Sequence, residues 1–278
     1  MTLDPRVADQ LAQTLTVLHR HLEGRIVAIH LFGSAVQGGL QPGSDLDLLV
    51  TATDAPPKSV RHALQRELLT ISAPPRTSDH WRPLEVTLLA RDQVLPWRYA
   101  PRRELQFGEW LRADLEGGIF EDPVRDPDLA LLLTQARLYG RALEGPAPVE
   151  LFEPIPHDHV VQAMRDTISQ WDGPHDWAGD GRTVVLALAR CAFTAATGRI
   201  ASKTEAAAWL MERLPEPESA LLTRALDAYL GRALDDLCKD QQAMARFVRK
   251  VRPLIEVSLD ASRNTPATSA NSELLTGR

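Results

Sequence analysis

The chain has 278 residues, enough for two ordinary domains, and its 44% hydrophobic and 24% charged content is that of a globular protein. A formal net charge of −6 speaks against a polynucleotide partner, which needs clustered Lys and Arg, and no apolar run approaches the ~18 residues of a membrane span. Cys191 and Cys238 make no disulfide framework and read as small buried hydrophobes in helical patterns. With an N-terminus that is not a secretion signal, this fits a reducing cytoplasm.

In chain order, Val7, Leu11, Leu15, Leu18 and Leu22 recur at helical spacing and predict a helix over 5–22. The apolar runs at 26–32, 46–50 and 83–90 read as strands. A helix over 58–71 and a Pro- and Ser-rich loop separate the last two. From about 103 onward the pattern predicts helices near 104–116, 127–143, 158–171, 182–197, 203–213, 217–234 and 240–258. The proline-rich stretch "EGPAPVELFEPIPHD" reads as a hinge between domains at 1–153 and 154–261, and the polar stretch 262–278 reads as a disordered tail. The fold class is α+β: an N-terminal domain with a mixed β-sheet and flanking helices, followed by a C-terminal α-helical bundle.

The chemistry concentrates in "LFGSAVQGGLQPGSDLDLLV", residues 31–50. Residues i and i+2 of a strand share a face, so Asp45 and Asp47 project together while Leu46 and Leu48 face the other way. Glu85 and Thr87 likewise share one face of the third run. If these strands are neighbours, three carboxylates converge. Such a group can hold a pair of Mg²⁺ ions for phosphoryl or nucleotidyl transfer. Gly33 permits close backbone approach, Ser34 opens a short helix whose amides can receive a phosphate, and Ser34 and Ser44 offer hydroxyls to the same anion. A purely structural reading, with a turn at Ser44-Asp45 and a salt-bridged Asp47, leaves Asp47 and Glu85 charged inside apolar strands. The residues alone do not separate a general base from a third metal ligand at Glu85.

In the helical half, "QWDGPHDWAGDGR" holds Trp171, Asp172, Asp176, Trp177 and Asp180, a set suited to a cationic, flat-faced ligand. Trp177 reads as core, and Asp180 as either a helix N-cap or a ligand contact. "SKTE" at 202–205 reads as a capping box that puts Lys203 in the first turn, against the helix dipole, as suits a lysine reaching for a phosphate. His157 and His159 lie in the hinge without a cysteine partner, a weak metal signal, and His19 and His21 read as surface residues.

"GSAVQGGLQPGSDLDLLV" resembles the signature of the nucleotidyltransferase superfamily typified by DNA polymerase beta. Together with "LEVTLL", "PWRYAPRRELQFGEWLR", "WDGPHDWAGD" and "AYLG", it is similar to the aminoglycoside nucleotidyltransferases that adenylylate streptomycin and spectinomycin, over about 26–258. The resemblance implies a nucleotidyltransferase catalytic domain in which Asp45 and Asp47 bind Mg²⁺ (two ions), with Glu85 beside them as the general base. It further implies that Ser34 and Ser44 contact the triphosphate and that Lys203 and Tyr229 contact the nucleotide. Trp110, Asp128, Trp171, Asp176 and Asp180 then contact the aminoglycoside. ATP is the co-substrate, AMP passes to the 3'' hydroxyl of streptomycin or the 9 hydroxyl of spectinomycin, and pyrophosphate leaves. The expected partners are small molecules, with neither nucleic acid nor membrane, and the expected state is a monomer. An enzyme that AMPylates a protein, a toxin–antitoxin component and a catalytically dead binding module are the alternatives. The intact carboxylate trio opposes the dead module, and the long helical domain opposes the minimal antitoxin type.

Overall fold

Residues 4–264 are described by the computed structural model, in which the chain divides into two units, Met1–Ile155 and Pro156–Arg278. The first unit opens with α1 (Pro5–His21), where Asp4 caps the helix by accepting from the Arg6 amide at 2.8 Å. Then come β1 (Ile26–Phe32), β2 (Leu46–Ala52), α2 (Lys58–Leu68), β3 (Leu84–Ala90), α3 (Arg91–Val94) and β4 (Arg102–Phe107). After these follow α4 (Arg112–Glu116), β5 (Val124–Arg125), α5 (Leu129–Tyr139), β6 (Arg141–Glu144) and α6 (Pro148–Leu151). The strands form one mixed sheet in the order β5-β4-β3-β2-β1-β6, parallel between β2 and β3 and antiparallel elsewhere. The parallel pair is joined through α2, as a parallel connection requires.

Leu46, Leu48 and Val50 of β2 and Leu84, Val86 and Leu88 of β3 bury against Leu11 and Leu18 of α1 and Leu64 and Leu68 of α2. The strand period then commits Asp47, Glu85 and Thr87 to the opposite face of the sheet. Gln10 of α1 is fully buried and ties the approach to β3. Its amide donates to the Ile71 and Arg82 carbonyls at 2.9 and 2.8 Å and accepts from the Arg82 amide at 3.1 Å.

Two expectations from the sequence are corrected in this unit. The helix expected over 104–116 is a strand, β4, as far as Phe107, and what remains helical is a 3₁₀ turn at Glu109–Leu111 followed by Arg112–Glu116. "RELQF" is rich in helix formers, but pairing with β3 buries Leu105 and Phe107, and that burial outweighs local propensity. The helix expected over 127–143 ends at Tyr139, and Arg141–Glu144 turns back to pair with β1.

The second unit holds α7 (His157–Ser169), α8 (Gly181–Thr197), α9 (Lys203–Met211), α10 (Glu218–Tyr229) and α11 (Gln241–Asn264). The apolar α8 is its centre, contacted by α9, α10 and α11. Trp177 is 2% exposed and donates its indole N–H to Gln241 Oε1 at 2.9 Å. Cys191 is buried in α8, whereas Cys238 sits in a 3₁₀ turn and its sulfur accepts from the Gly181 amide at 3.2 Å. His19 is exposed, but His21 is half-buried against Glu67 at 2.6 Å. Helix α11 runs to Asn264, into the stretch expected as a tail, and residues 265–278 lie outside the described residues. Among the described residues no helix is long and apolar enough to cross a membrane.

Replacing Gln10 with Ala would strand three main-chain groups away from water, so Gln10→Ala should lose about 2–4 kcal/mol of stability in urea denaturation followed by circular dichroism.

Candidate active site

The parallel pairing of β2 and β3 sets Asp47 opposite Glu85. One carboxylate oxygen from each of Asp45, Asp47 and Glu85 lies within 4.8 Å of the other two, and all three residues are half-buried. Oxygen donors grouped this closely match the preference of hard divalent cations, so these residues can hold Mg²⁺.

The backbone around them is shaped to this group. Gly33, at the end of β1, has φ +66°, and a Cβ added there would stand 2.7 Å from the Asp47 carboxyl carbon and overlap its oxygen. Both facts demand glycine. Ser34 follows in a single 3₁₀ turn, Gly33–Ala35, so the short helix expected there amounts to one turn. Ser44 is only 4% exposed, and its hydroxyl oxygen accepts from the Gln41 amide at 3.0 Å, closing the loop that leads to Asp45. The same loop is clamped from β3's approach by the Arg82 guanidinium, which donates to the Gln41 carbonyl and, in two bonds of 3.1 and 3.3 Å, to the Ser44 carbonyl.

Glu85 has a partner that the sequence reading missed. Gln106 of β4 donates from Nε2 to Glu85 Oε1 at 3.1 Å, and its own Oε1 accepts from the Thr87 hydroxyl at 3.0 Å. Reading this segment as a helix hid the strand alternation that would have put Gln106 on the Glu85 face.

Glu85 and Gln106 also line a cavity of about 270 Å³. Its wall carries Glu85, Glu121, Asp126 and Asp128 against the cation Arg103, which pairs with Asp126 at 2.8 Å and Glu121 at 3.8 Å. The acidic excess suits a cationic ligand. Trp110 lines the same cavity and is 59% exposed, so core packing does not account for it. Its ring lies over Gly108, where an added Cβ would collide with the indole. Asp128 is exposed just ahead of α5, and its side chain makes no capping bond to that helix. Sequence-expected Glu85, Trp110 and Asp128 therefore share one cavity.

In the helical unit, Asp176 organises its own loop. Its Oδ2 accepts from the Gly173 and Asp172 amides at 2.7 and 2.9 Å, and Oδ1 meets His175 Nε2 at 2.8 Å. The amide of Gly173 first, then that of Asp172, hold its carboxyl below the usual range. Trp171 is half-buried in the same loop, where Asp172 pairs with Arg252 at 3.2 Å. Asp180 precedes α8 and keeps solvent access, but displaced water pushes its carboxyl above the usual range, against the pull of the Thr183 hydroxyl and of Arg182. Lys203 is the first residue of α9, behind the Ser202 cap that accepts from the Glu205 amide at 3.2 Å. Its ammonium lies 5.0 Å from the ring centre of the buried Tyr229, so the two expected nucleotide contacts are neighbours. His157 and His159 fall in the first turn of α7.

The mixed sheet, with Gly33-Ser34 ahead of the Asp-x-Asp strand and a third carboxylate on its parallel neighbour, is that of a nucleotidyltransferase, and residues 11–104 match the family described as the nucleotidyltransferase domain. Residues 150–253 match the aminoglycoside adenylyltransferase C-terminal domain. The chain is 48% identical to an aminoglycoside (3'') (9) adenylyltransferase of Escherichia coli over 88% of its length and 94% of that protein. It is 37% identical to a spectinomycin 9-adenylyltransferase of Staphylococcus aureus over 93% of its length and 98% of that protein. A crystal structure of a spectinomycin adenyltransferase from Enterococcus faecialis, solved with ATP and spectinomycin, superimposes with a TM-score of 0.83 at 25% identity, covering 90% of this chain and 99% of that one. The protein belongs to the aminoglycoside adenylyltransferase family.

Gly33→Ala would force an alanine into the left-handed region, at about 1–2 kcal/mol, and would displace the Asp47 carboxylate. If the carboxylates hold a divalent cation, calorimetry should find Mg²⁺ affinity at least about tenfold weaker in a variant that still folds.

Proposed function

We propose that the protein transfers AMP from ATP to the 3'' hydroxyl of streptomycin and the 9 hydroxyl of spectinomycin, releasing pyrophosphate and thereby conferring resistance to both drugs. The observation that carries this reading is the convergence of Asp45, Asp47 and Glu85 beside an acidic cavity in a member of this family.

Asp45 and Asp47 would hold Mg²⁺, as two ions, which when bound would supply charge neutralisation for the phosphates. Glu85 accepts the proton of the acceptor hydroxyl. That oxygen attacks the α-phosphorus, the bond to the bridging oxygen of the β-phosphate breaks, and pyrophosphate departs with the electron pair. Ser34 and Ser44 contact the triphosphate, and the buried hydroxyl of Ser44 also closes its loop by accepting from the Gln41 amide. In the helical unit, Lys203 supplies charge for a phosphate and Tyr229 a surface for the nucleotide.

The acceptor is a polycation, and the carboxylates assigned to it divide by unit. Asp128, with Trp110, borders the cavity that contains Glu85, where both drugs must present their reacting hydroxyl. Trp171, Asp176 and Asp180 belong to the helical unit. Trp171 and Asp176 hold the part of streptomycin, with its guanidiniums, that the compact spectinomycin does not possess.

Three measurements test the reading. Purified protein with ATP, Mg²⁺ and either drug should yield pyrophosphate and the AMP-modified drug; no product with either one refutes the proposal. Asp47→Asn should lose Mg²⁺-dependent ATP binding, whereas Glu85→Gln should keep that binding and lose about 10²–10⁴-fold in kcat. Equal loss of binding in both variants would make Glu85 a metal ligand first. Asp176→Asn keeps an acceptor for the loop amides and removes the charge. It should cut kcat/KM for streptomycin about ten- to a hundredfold while spectinomycin activity stays within about threefold.

A further inference from the structure

The general base proposed above is one of three carboxylates crowded together, and a carboxylate among like charges rotates away from them unless something holds it. Asp45 and Asp47 stand beside Glu85, and Asp126 and Asp128 line the same cavity as Arg103, which pairs with Asp126 and Glu121. Gln106 is a neutral side chain bonded to Glu85, through Nε2 to Oε1 at 3.1 Å.

Gln106 is itself fixed in three ways. Its Oε1 accepts from the hydroxyl of Thr87, which is 1% exposed and stands two residues along β3 from Glu85. Its carbonyl accepts from Nε2 of the buried Gln65 on α2 at 2.9 Å. Strand pairing sets Gln106 opposite Thr87. The orientation of the amide is also dictated by charge. Turning it over would point the carbonyl oxygen at a carboxylate, so an ionised Glu85 and the Thr87 hydroxyl select the same one of the two orientations.

We infer that Gln106, oriented by Thr87, is a positioning residue that holds the Glu85 carboxylate at the angle from which it takes the acceptor's proton. This rests on Glu85 acting as base. The line Thr87–Gln106–Glu85 runs from the core of the sheet to the reacting edge of the cavity, in the manner of the outer groups that orient catalytic residues elsewhere. Gln106 lines the cavity beside Glu85, and its part in this scheme is to hold that carboxylate, so its loss acts first on the transferring step.

The decisive variants are Gln106→Met, which keeps length and packing and removes both hydrogen bonds, and Thr87→Val with Thr87→Ser. Gln106→Met should lower kcat about 10- to 100-fold with both drugs, because misplacement by about 1 Å costs on that order. KM for ATP and for drug should stay within about threefold, and calorimetry should find Mg²⁺–ATP affinity unchanged. Thr87→Val should lose a smaller share of kcat, and Thr87→Ser should recover most of that share by restoring the hydroxyl. Wild-type kcat in Gln106→Met overturns the inference, as does a loss of Mg²⁺–ATP affinity that accounts for the whole effect. Glu85→Gln, assayed beside them, separates the two claims. Near-normal kcat in Glu85→Gln removes the base itself, whereas a dead Glu85→Gln beside a fully active Gln106→Met leaves the base standing and removes only Gln106.

Discussion

Mutual repulsion among Asp45, Asp47 and Glu85 is the constraint around which the N-terminal unit is built. At an effective dielectric of ~20, two ionised carboxylates this close repel by about 3–4 kcal/mol. Nothing in the three side chains favours the arrangement, so it is imposed by the scaffold. The apolar faces of β2 and β3 bury against α1 and α2, and that burial locks the register that sets Asp47 opposite Glu85. A slip of one residue would turn the carboxylates into the core. The remaining devices act locally: a glycine where Asp47 needs room, and Arg82 clamping the loop that delivers Asp45.

How much of this could be read beforehand follows from the range of each interaction. β1, β2 and β3 are apolar runs bounded by turns, and the helices of the second unit carry their period on their surface, so both were legible. So was the face that each of Asp47 and Glu85 takes on its own strand, because alternation is a local rule; that the two faces coincide depends on the pairing of β2 with β3. β4 was not, since helix-forming residues were paired into a sheet by a partner the local sequence does not announce. That error carried Gln106 with it. Arg82 and Gln10 were invisible for a different reason: what they bond is main chain, which looks the same in every sequence.

In the helical unit, one side chain often performs two physical tasks. Asp176 spends one oxygen on the amides of its own loop and has the other beside His175, so its charge and the loop's shape are a single property. The Lys203 ammonium over Tyr229 is similar, since the ring that supports the cation also fills the core. Substitutions at such positions change charge and folding together, and only replacements that keep one task while removing the other are informative.

The bare backbone beneath Trp110 has a consequence for the cavity. The indole rests on Gly108, whose extended backbone any residue could adopt, so it is the ring and not the backbone that a side chain there would meet. A single base change that gives position 108 a side chain would lift the indole and reshape the mouth of the cavity, leaving the carboxylates and the sheet untouched. The shape of this cavity is therefore set in part from beneath Trp110, by its floor as well as by its walls.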